Sequence, residues 1–398
     1  MYPKIHLKAK LKKTFLGHKH PWIFSGAIER IEGEKSALHG RLVSIFLDGI
    51  FLAHGYYNKQ SQIAVRILSW NEADVIDVEF FKNKISQAAA TRREYVLDEN
   101  TTACRMVFAE SDFLPGFIVD KYNNTLILQI HTLGAENLKD LFVQALIAVY
   151  SPECIYEKSD VSARKLEGLP EKKEGVLHGT LKEEEIILEH GLKFRVDFLH
   201  GQKTGFFLDQ RENRLALQKY VKDRKVLNIC SYTGGFSVSA LQGGASHVSS
   251  VDISDHAVEE GINNVELNGF DKDKHWTEAK DAFEFLKNAK QGSYDVIILD
   301  PPAFVKSKKD IDRGMKGYIS LNQRALEVLD NHGILMTCSC SGVVSDEQFF
   351  RMLSWAAQAA GCLVQVLEKK SQPLDHSLNP YFPEGNYLKC YIIRKIAS

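Results

Sequence analysis

Short apolar runs alternate with helical patterns through the second half of the chain. Lys225–Ile229 is apolar and β-leaning, the turn after it holds Gly234 and Gly235, and Ser237–Leu241 opens a helix. The two glycines allow φ > 0 and a close approach to a ligand. The next run, His247–Asp252, ends in an acid, and a helix follows from about Asp255 with Ala257, Val258 and Ile262 at helical spacing. Asp281 opens another helix, Tyr294–Asp300 is a buried strand running into Pro301 and Pro302, and Gly333–Cys340 is the strand after that. This alternation predicts a mainly parallel sheet covered by helices on both faces. Leu363–Glu368 and Tyr387–Arg394 have no helix between them, which predicts an antiparallel pair closing the sheet.

The first half is patterned differently. Up to about Trp70, short strands (Leu42–Leu47, Phe51–Tyr56, Ile63–Leu68) alternate with turns. Between about 71 and 190 come a helix over Ala73–Arg93 and strands at Arg105–Glu110, Phe117–Asp120 and Thr125–Ile130. A helix over Leu138–Tyr150 follows, and then the charged stretches Glu171–Glu174 and Lys182–Glu185, which read as exposed turns near a boundary. Three domains are expected: residues 1–70, an α+β middle domain over 71–190, and an α/β domain over 191–398.

Composition narrows the function classes. At 398 residues the chain exceeds a single core, and 44% hydrophobic with 25% charged residues is ordinary for a folded protein. A net charge of −1 excludes a general polyanion binder, so any nucleic-acid surface is a local patch. Lys4, Lys8, Lys10, Lys12, Lys13 and Lys19 precede the first acid, Glu29; they suit either a solvated face or phosphate contact. Seven cysteines without zinc-like spacing suggest free thiols and no metal. With no apolar signal core at the N-terminus and no membrane-length apolar run, a cytoplasmic protein is expected.

The candidate chemistry lies at the carboxyl ends of the strands, where open α/β sheets bind ligands. Gly234, Asp252, Asp281 and Asp300 occupy four such ends in succession. Each acid alone reads as a helix cap; in a row they suit a nucleoside, with Asp252 on the ribose hydroxyls and Asp281 on the adenine amino group. The turn Cys230–Gly235 lacks the full G-x-G-x-x-G of a nicotinamide enzyme, and a sulfonium cofactor has no pyrophosphate to cradle.

Two stretches carry family resemblances. Lys19–Gly26 resembles the start of a PUA domain, a small RNA-binding β-barrel, over roughly the first 70 residues. The C-terminal half resembles the class I S-adenosylmethionine-dependent methyltransferases, which have a Rossmann-like fold with a seven-stranded sheet. Gly201–Arg214, Asp300–Phe304 and Pro383–Lys389 resemble the motifs of bacterial 23S ribosomal RNA cytosine-5 methyltransferases with an N-terminal PUA domain. The resemblance implies S-adenosylmethionine as cofactor, with Asn228, Tyr232, Thr233, Gly234, Asp252, Ile253, Asp281, Ala282 and Asp300 around it. It also implies large-subunit ribosomal RNA as partner, met by Lys203, Arg211, Pro301, Phe304, Lys19 and Trp22. A homodimer is compatible with the sequence, although no residue argues for it.

Methylating C5 of cytosine requires a thiolate to add at C6 and an acid near N3. Met336, Cys338 and Cys340 share one strand face, and Cys340 lies nearer the carboxyl end. Cys340 is therefore the expected nucleophile, with Cys338 packing behind it and Asp300 as the acid. Some cytosine-5 enzymes carry a second cysteine where this chain has Ala303, so a second catalytic thiol is not expected. One of Phe206 and Phe207 would wall the base while the other packs inside, and Lys306–Lys309 is either an RNA-tracking or a solvated loop. The alternatives are methylation of another base atom such as a guanine nitrogen, which needs no thiol, and a non-catalytic RNA-binding factor that keeps the fold.

Overall fold

Leu42–Leu47, Ile50–Tyr57 and Ile63–Ser69 pair antiparallel in sequence order, as their alternation predicts. Lys4–Leu7, Trp22–Phe24 and Ile28–Ile31 complete a six-stranded sheet around Ile5, Ile23, Val43, Ile45 and Val65. In the computed structural model, which describes residues 2–11, 17–182 and 184–396, this sheet belongs to a unit that runs up to Glu185 and also takes in Val196–Leu208 and Leu374–Gly385. The same unit holds a five-stranded sheet ordered Lys172–Gly179, Cys154–Asp160, Thr125–Ile130, Phe117–Tyr122, Ala103–Phe108. Helices Val78–Tyr95 and Lys139–Tyr150 pack in its core, where the Phe117 and Phe142 rings stack at 4.0 Å.

Three sequence expectations change here. The first helix begins at Val78 rather than Ala73, because Asp77 caps it by accepting from the Phe80 amide. Upstream, Ser69 and Asn71 donate to the Asp74 carboxylate and hold a turn instead. Most of Glu171–Glu174 is not a turn: Lys172, Lys173 and Glu174 open the edge strand Lys172–Gly179, where their charges discourage pairing with another chain. Glu184 and Glu185 likewise begin a strand, Glu184–Glu189.

Ile186–Arg195, Asp209–Pro373 and the chain from Asn386 form the other unit. The strands of its main sheet are β1 (Lys225–Ile229), β2 (His247–Asp252), β3 (His275–Ala279), β4 (Tyr294–Leu299), β5 (Leu329–Ser339), β6 (Leu363–Lys370) and β7 (Lys389–Ile396). Its main helices are α1 (Gly235–Gln242), α2 (Asp255–Leu267), α3 (Ala282–Asn288), α4 (Ile311–Val328) and α5 (Asp346–Ala359). The sheet order is β3-β2-β1-β4-β5-β7-β6, with β1 to β5 parallel and β7 antiparallel to both of its neighbours, as expected. The order reverses beside β1, so the carboxyl ends of β1, β2 and β4 open onto the crevice where such sheets bind ligands. Among the described residues no helix is long and apolar enough to cross a membrane.

Candidate functional site

The site grows from the end of β1. Cys230, Tyr232 and Gly234 all take left-handed backbone, with φ of 58°, 46° and 75°. Left-handed non-glycine residues are strained, and such strain clusters at functional turns. Gly234 meets a more specific demand than its freedom to turn: a Cβ there would lie 3.0 Å from Gly261 Cα. The close approach expected with a ligand is thus first an approach of the turn to α2. In the same turn, Ser231 Oγ and Thr233 Oγ1 are buried without a hydrogen-bond partner. A buried unsatisfied hydroxyl costs about 1–3 kcal/mol, so both are poised for a polar group that the protein itself does not supply.

The three acids converge on this turn. Asp252, at the end of β2, accepts from the Tyr232 amide at 2.9 Å and the Ser254 amide at 3.0 Å. Ile253, beside it, is 75% exposed, an apolar side chain facing outward on the rim. Asp281 caps α3, its Oδ1 accepting from the amides of Phe283 and Glu284, and Ala282 follows, partly exposed. The Cys230 thiol registers the convergence: burial and then the charges of Asp252, Asp300 and Asp281 push it up to about 12.

Asp300 stands at the end of β4. Part of the residue reaches solvent, but its carboxyl lies deep among protein atoms. Burial, reinforced by the neighbouring Asp209 carboxylate, lifts it to about 7 against the partial relief of a hydrogen bond from Gln210 Nε2 at 3.0 Å. Asp209 in turn accepts from the Tyr387 hydroxyl at 2.6 Å. Pro301 is buried behind the carboxyl, and the partly buried Phe304 ring packs on Tyr318 at 4.8 Å.

β5 lies directly beside β4, with Leu299 opposite Thr337. Cys338 is fully buried and faces Cys390, and its thiol is pushed well above the ordinary range. Cys340 is partly exposed just beyond the strand. Of the seven cysteines only Cys230 and Cys340 are not buried, and burial with three carboxylates holds the Cys230 thiol up. The Tyr318 hydroxyl, which accepts from Ser339 Oγ at 2.9 Å, interacts electrostatically with both Cys340 and Asp300 and so marks their common neighbourhood.

Other expected residues lie elsewhere. Asn228 is fully buried within β1, donating to Ser237 Oγ at 2.9 Å, and supports the turn from below rather than lining the rim. Arg211, expected at an RNA or cofactor surface, is 2% exposed and held by Glu212, because its helix faces inward. Lys203 is exposed, but in Val196–Leu208, which packs with the other unit. Phe206 is the buried one of its pair and Phe207 the more open. In that unit Trp22 is tied down by its indole N–H donating to Glu110 at 2.7 Å, whereas Lys19 is exposed. Lys4 lies over the Phe46 ring, Lys8 donates to the Gly26 carbonyl and Lys10 is exposed; Lys12 and Lys13 fall outside the described residues. Lys306–Lys309 is exposed throughout.

Gln210, Asp209, Tyr387 and Lys389 are not singled out by the sequence. The signal is present, since all four lie within Gly201–Arg214 and Pro383–Lys389, but nothing in one dimension brings those segments to Asp300 and Cys340.

Comparison with known proteins agrees with this geometry. Residues 168–380 match the family described as S-adenosylmethionine-dependent methyltransferase, and residues 5–70 match the PUA-like domain. The chain is 42% identical over 393 residues to ribosomal RNA large subunit methyltransferase I of Aliivibrio fischeri, covering 98% of each. It is 40% identical over 390 residues to the protein of that name from Escherichia coli, covering 97% of this chain and 98% of that one. A solved methyltransferase in complex with SAH superposes with a TM-score of 0.83 at 25% identity, over 98% of this chain and 99% of that one. A structure of a methyltransferase from Streptococcus mutans matches with the same values. With its strand ends, its sheet order and these relatives in agreement, the chain belongs to the family of S-adenosylmethionine-dependent ribosomal RNA large subunit methyltransferases.

Proposed function

We propose that this enzyme methylates C5 of a cytosine in 23S ribosomal RNA through a covalent bond between Cys340 and C6 of the base. The observation that carries the reading is a partly exposed thiol at the end of β5, next to a strand that runs into Asp300, whose carboxyl burial and Asp209 push up to about 7. C5 is a weak nucleophile until C6 carries a substituent. Addition of the Cys340 thiolate makes the ring an enamine, and Asp300 donates its proton to N3 as negative charge gathers there. S-adenosylmethionine, when bound, supplies the electrophilic methyl group. Once a base has taken the C5 proton, the sulfur departs as the thiolate while N3 returns its proton to Asp300, so that Cys340 and Asp300 are both regenerated. With Ala303 after the Asp–Pro–Pro turn, no second thiol takes part in release.

The turn suits this cofactor. The orphaned Ser231 and Thr233 hydroxyls would hold its amino-acid end, and Asp252 its ribose. Asp281 would bind the adenine amino group through the oxygen not engaged in capping, and exposed Ile253 would lie against the ring. Residues 191–398 would perform the transfer in the cytoplasm. The PUA-like segment 1–70, with exposed Lys19, and the middle segment 71–190 would hold RNA flanking a base that leaves its stack at about a few kcal/mol.

The test uses RNA in which 5-fluorocytosine replaces cytosine. Fluorine does not leave as a proton, so enzyme and RNA should remain joined on a denaturing gel when S-adenosylmethionine is present. The band should survive Cys338→Ala and vanish with Cys340→Ala. Intact methylation of ordinary RNA with no trapped band would instead favour transfer to another atom, such as a guanine nitrogen.

A further inference from the structure

The sequence ends its last motif at Lys389, the first residue of β7, opposite Ser339 and one step from the proposed nucleophile. A lysine at that point would ordinarily turn outward, yet Lys389 is 5% exposed. Its ammonium donates to the Ser341 carbonyl at 2.5 Å and to the Tyr387 carbonyl at 2.9 Å. Neither acceptor carries a formal charge. Buried cations are normally paired, because the charge has lost its hydration. The nearby carboxylate, Asp346 at the start of α5, is already taken by Lys369 and by the Tyr391 hydroxyl.

Two charged groups act on the ammonium, Cys340 first and Asp346 second, and Cys340 lies between Ser339, which faces Lys389 across the strands, and Ser341, whose carbonyl Lys389 holds. The carbonyl that anchors the ammonium belongs to the next residue, so backbone and charge are fixed together. We infer that Lys389 is the positioning residue that holds Cys340 as a thiolate, its buried ammonium fixed beside the segment that carries the sulfur by its bonds to Ser341 and Tyr387. This rests on the covalent reading above and adds the device that readies the thiol. The thiol proton leaves to solvent, and the sulfur returns to the same anionic state on release from C6. The charged and titratable groups acting on the pair are Asp346, itself bonded by Lys369 and Tyr391, and Tyr318, which also interacts with Asp300. Burial lowers the ammonium to about 8, so it remains mostly charged at neutral pH.

The experiment follows iodoacetamide alkylation of Cys340 in the full-length enzyme from pH 5.5 to 10, read by mass spectrometry of its peptide, with no RNA present. Burial protects five of the other cysteines, and Cys230 is held protonated. The wild-type midpoint should lie about one unit or more below the ordinary thiol value of about 8.5. Lys389→Met should return it toward that value and slow alkylation at pH 7 about tenfold, whereas Lys389→Arg, which keeps the charge, should keep the low midpoint. A Lys389→Met profile that coincides with wild type overturns the inference. So does a wild-type midpoint at or above 8.5, a measurement that stands even where the variant does not fold. The covalent reading fails separately, through absence of the 5-fluorocytosine adduct in wild type.

Discussion

Asp300→Asn should move activity and stability in opposite directions. An aspartate is ordinarily half-ionised near 3.9, and burial with the adjacent Asp209 raises this one to about 7. Below about pH 4 folded and unfolded chains both hold the proton, and Asp300 imposes no penalty. Between pH 4 and 7 the unfolded chain releases it first, so folding loses up to about 1.4 kcal/mol per pH unit; above 7 the loss levels off near 4 kcal/mol at most. Partial exposure lets solvent take up some of this, leaving roughly 2 kcal/mol. The substituted amide would keep an oxygen for Gln210, which now donates to Asp300 Oδ1 at 3.0 Å, and would carry no charge. The variant should therefore melt higher than wild type at pH 8, by roughly 3–8 °C, and the gain should shrink toward pH 5. Methyl transfer to ribosomal RNA should fall about 10²–10⁴-fold, as expected for loss of a general acid. Calorimetry at pH 5, 6, 7 and 8 beside a methyl-incorporation assay checks both. A melting difference independent of pH, or a variant less stable at pH 8, would refute the account of this carboxyl.

Other sites give independent tests. Thr233→Val removes a buried hydroxyl without a partner, so it should stabilise the ligand-free protein by about 1 kcal/mol while weakening S-adenosylhomocysteine in calorimetric titration; unchanged affinity would remove that hydroxyl from the cofactor site. Gly234→Ala forces a left-handed alanine and sets a methyl 3.0 Å from Gly261, so it should lose about 1–2 kcal/mol and lower S-adenosylhomocysteine affinity as α1 and α2 separate. In the other unit, Arg66 bonds Glu167 at 2.9 Å and lies beside Glu110, all nearly buried. Arg66→Met should therefore cost about 3–5 kcal/mol in denaturant unfolding, and a loss below 1 kcal/mol would show that the carboxylates find other partners.

The parallel sheet, its antiparallel closing pair and the acids at its strand ends were legible because each depends on a pattern a few residues long. An apolar strand ending in Asp must deliver that Asp to the rim of a parallel sheet, whatever surrounds it. The direction in which a polar side chain turns from that rim depends instead on what packs beside it. Arg211 and Lys389 show why residue type alone does not decide this. Both are cations in family-like motifs, and both are buried, yet Arg211 is answered by the neighbouring carboxylate of Glu212 while Lys389 meets neutral carbonyls. The first pairing is local enough to guess from adjacent letters. The second needs β5 and β7 to run antiparallel in the register that sets Ser339 against Lys389, a fact held in no single segment. Gln210 and Asp209 follow the same logic, reaching Asp300 and Tyr387 across 90 and 178 residues. The strand ends that bring the acids together are thus written locally, whereas the groups that bond Asp300 and flank Cys340 are assembled only when the sheet closes.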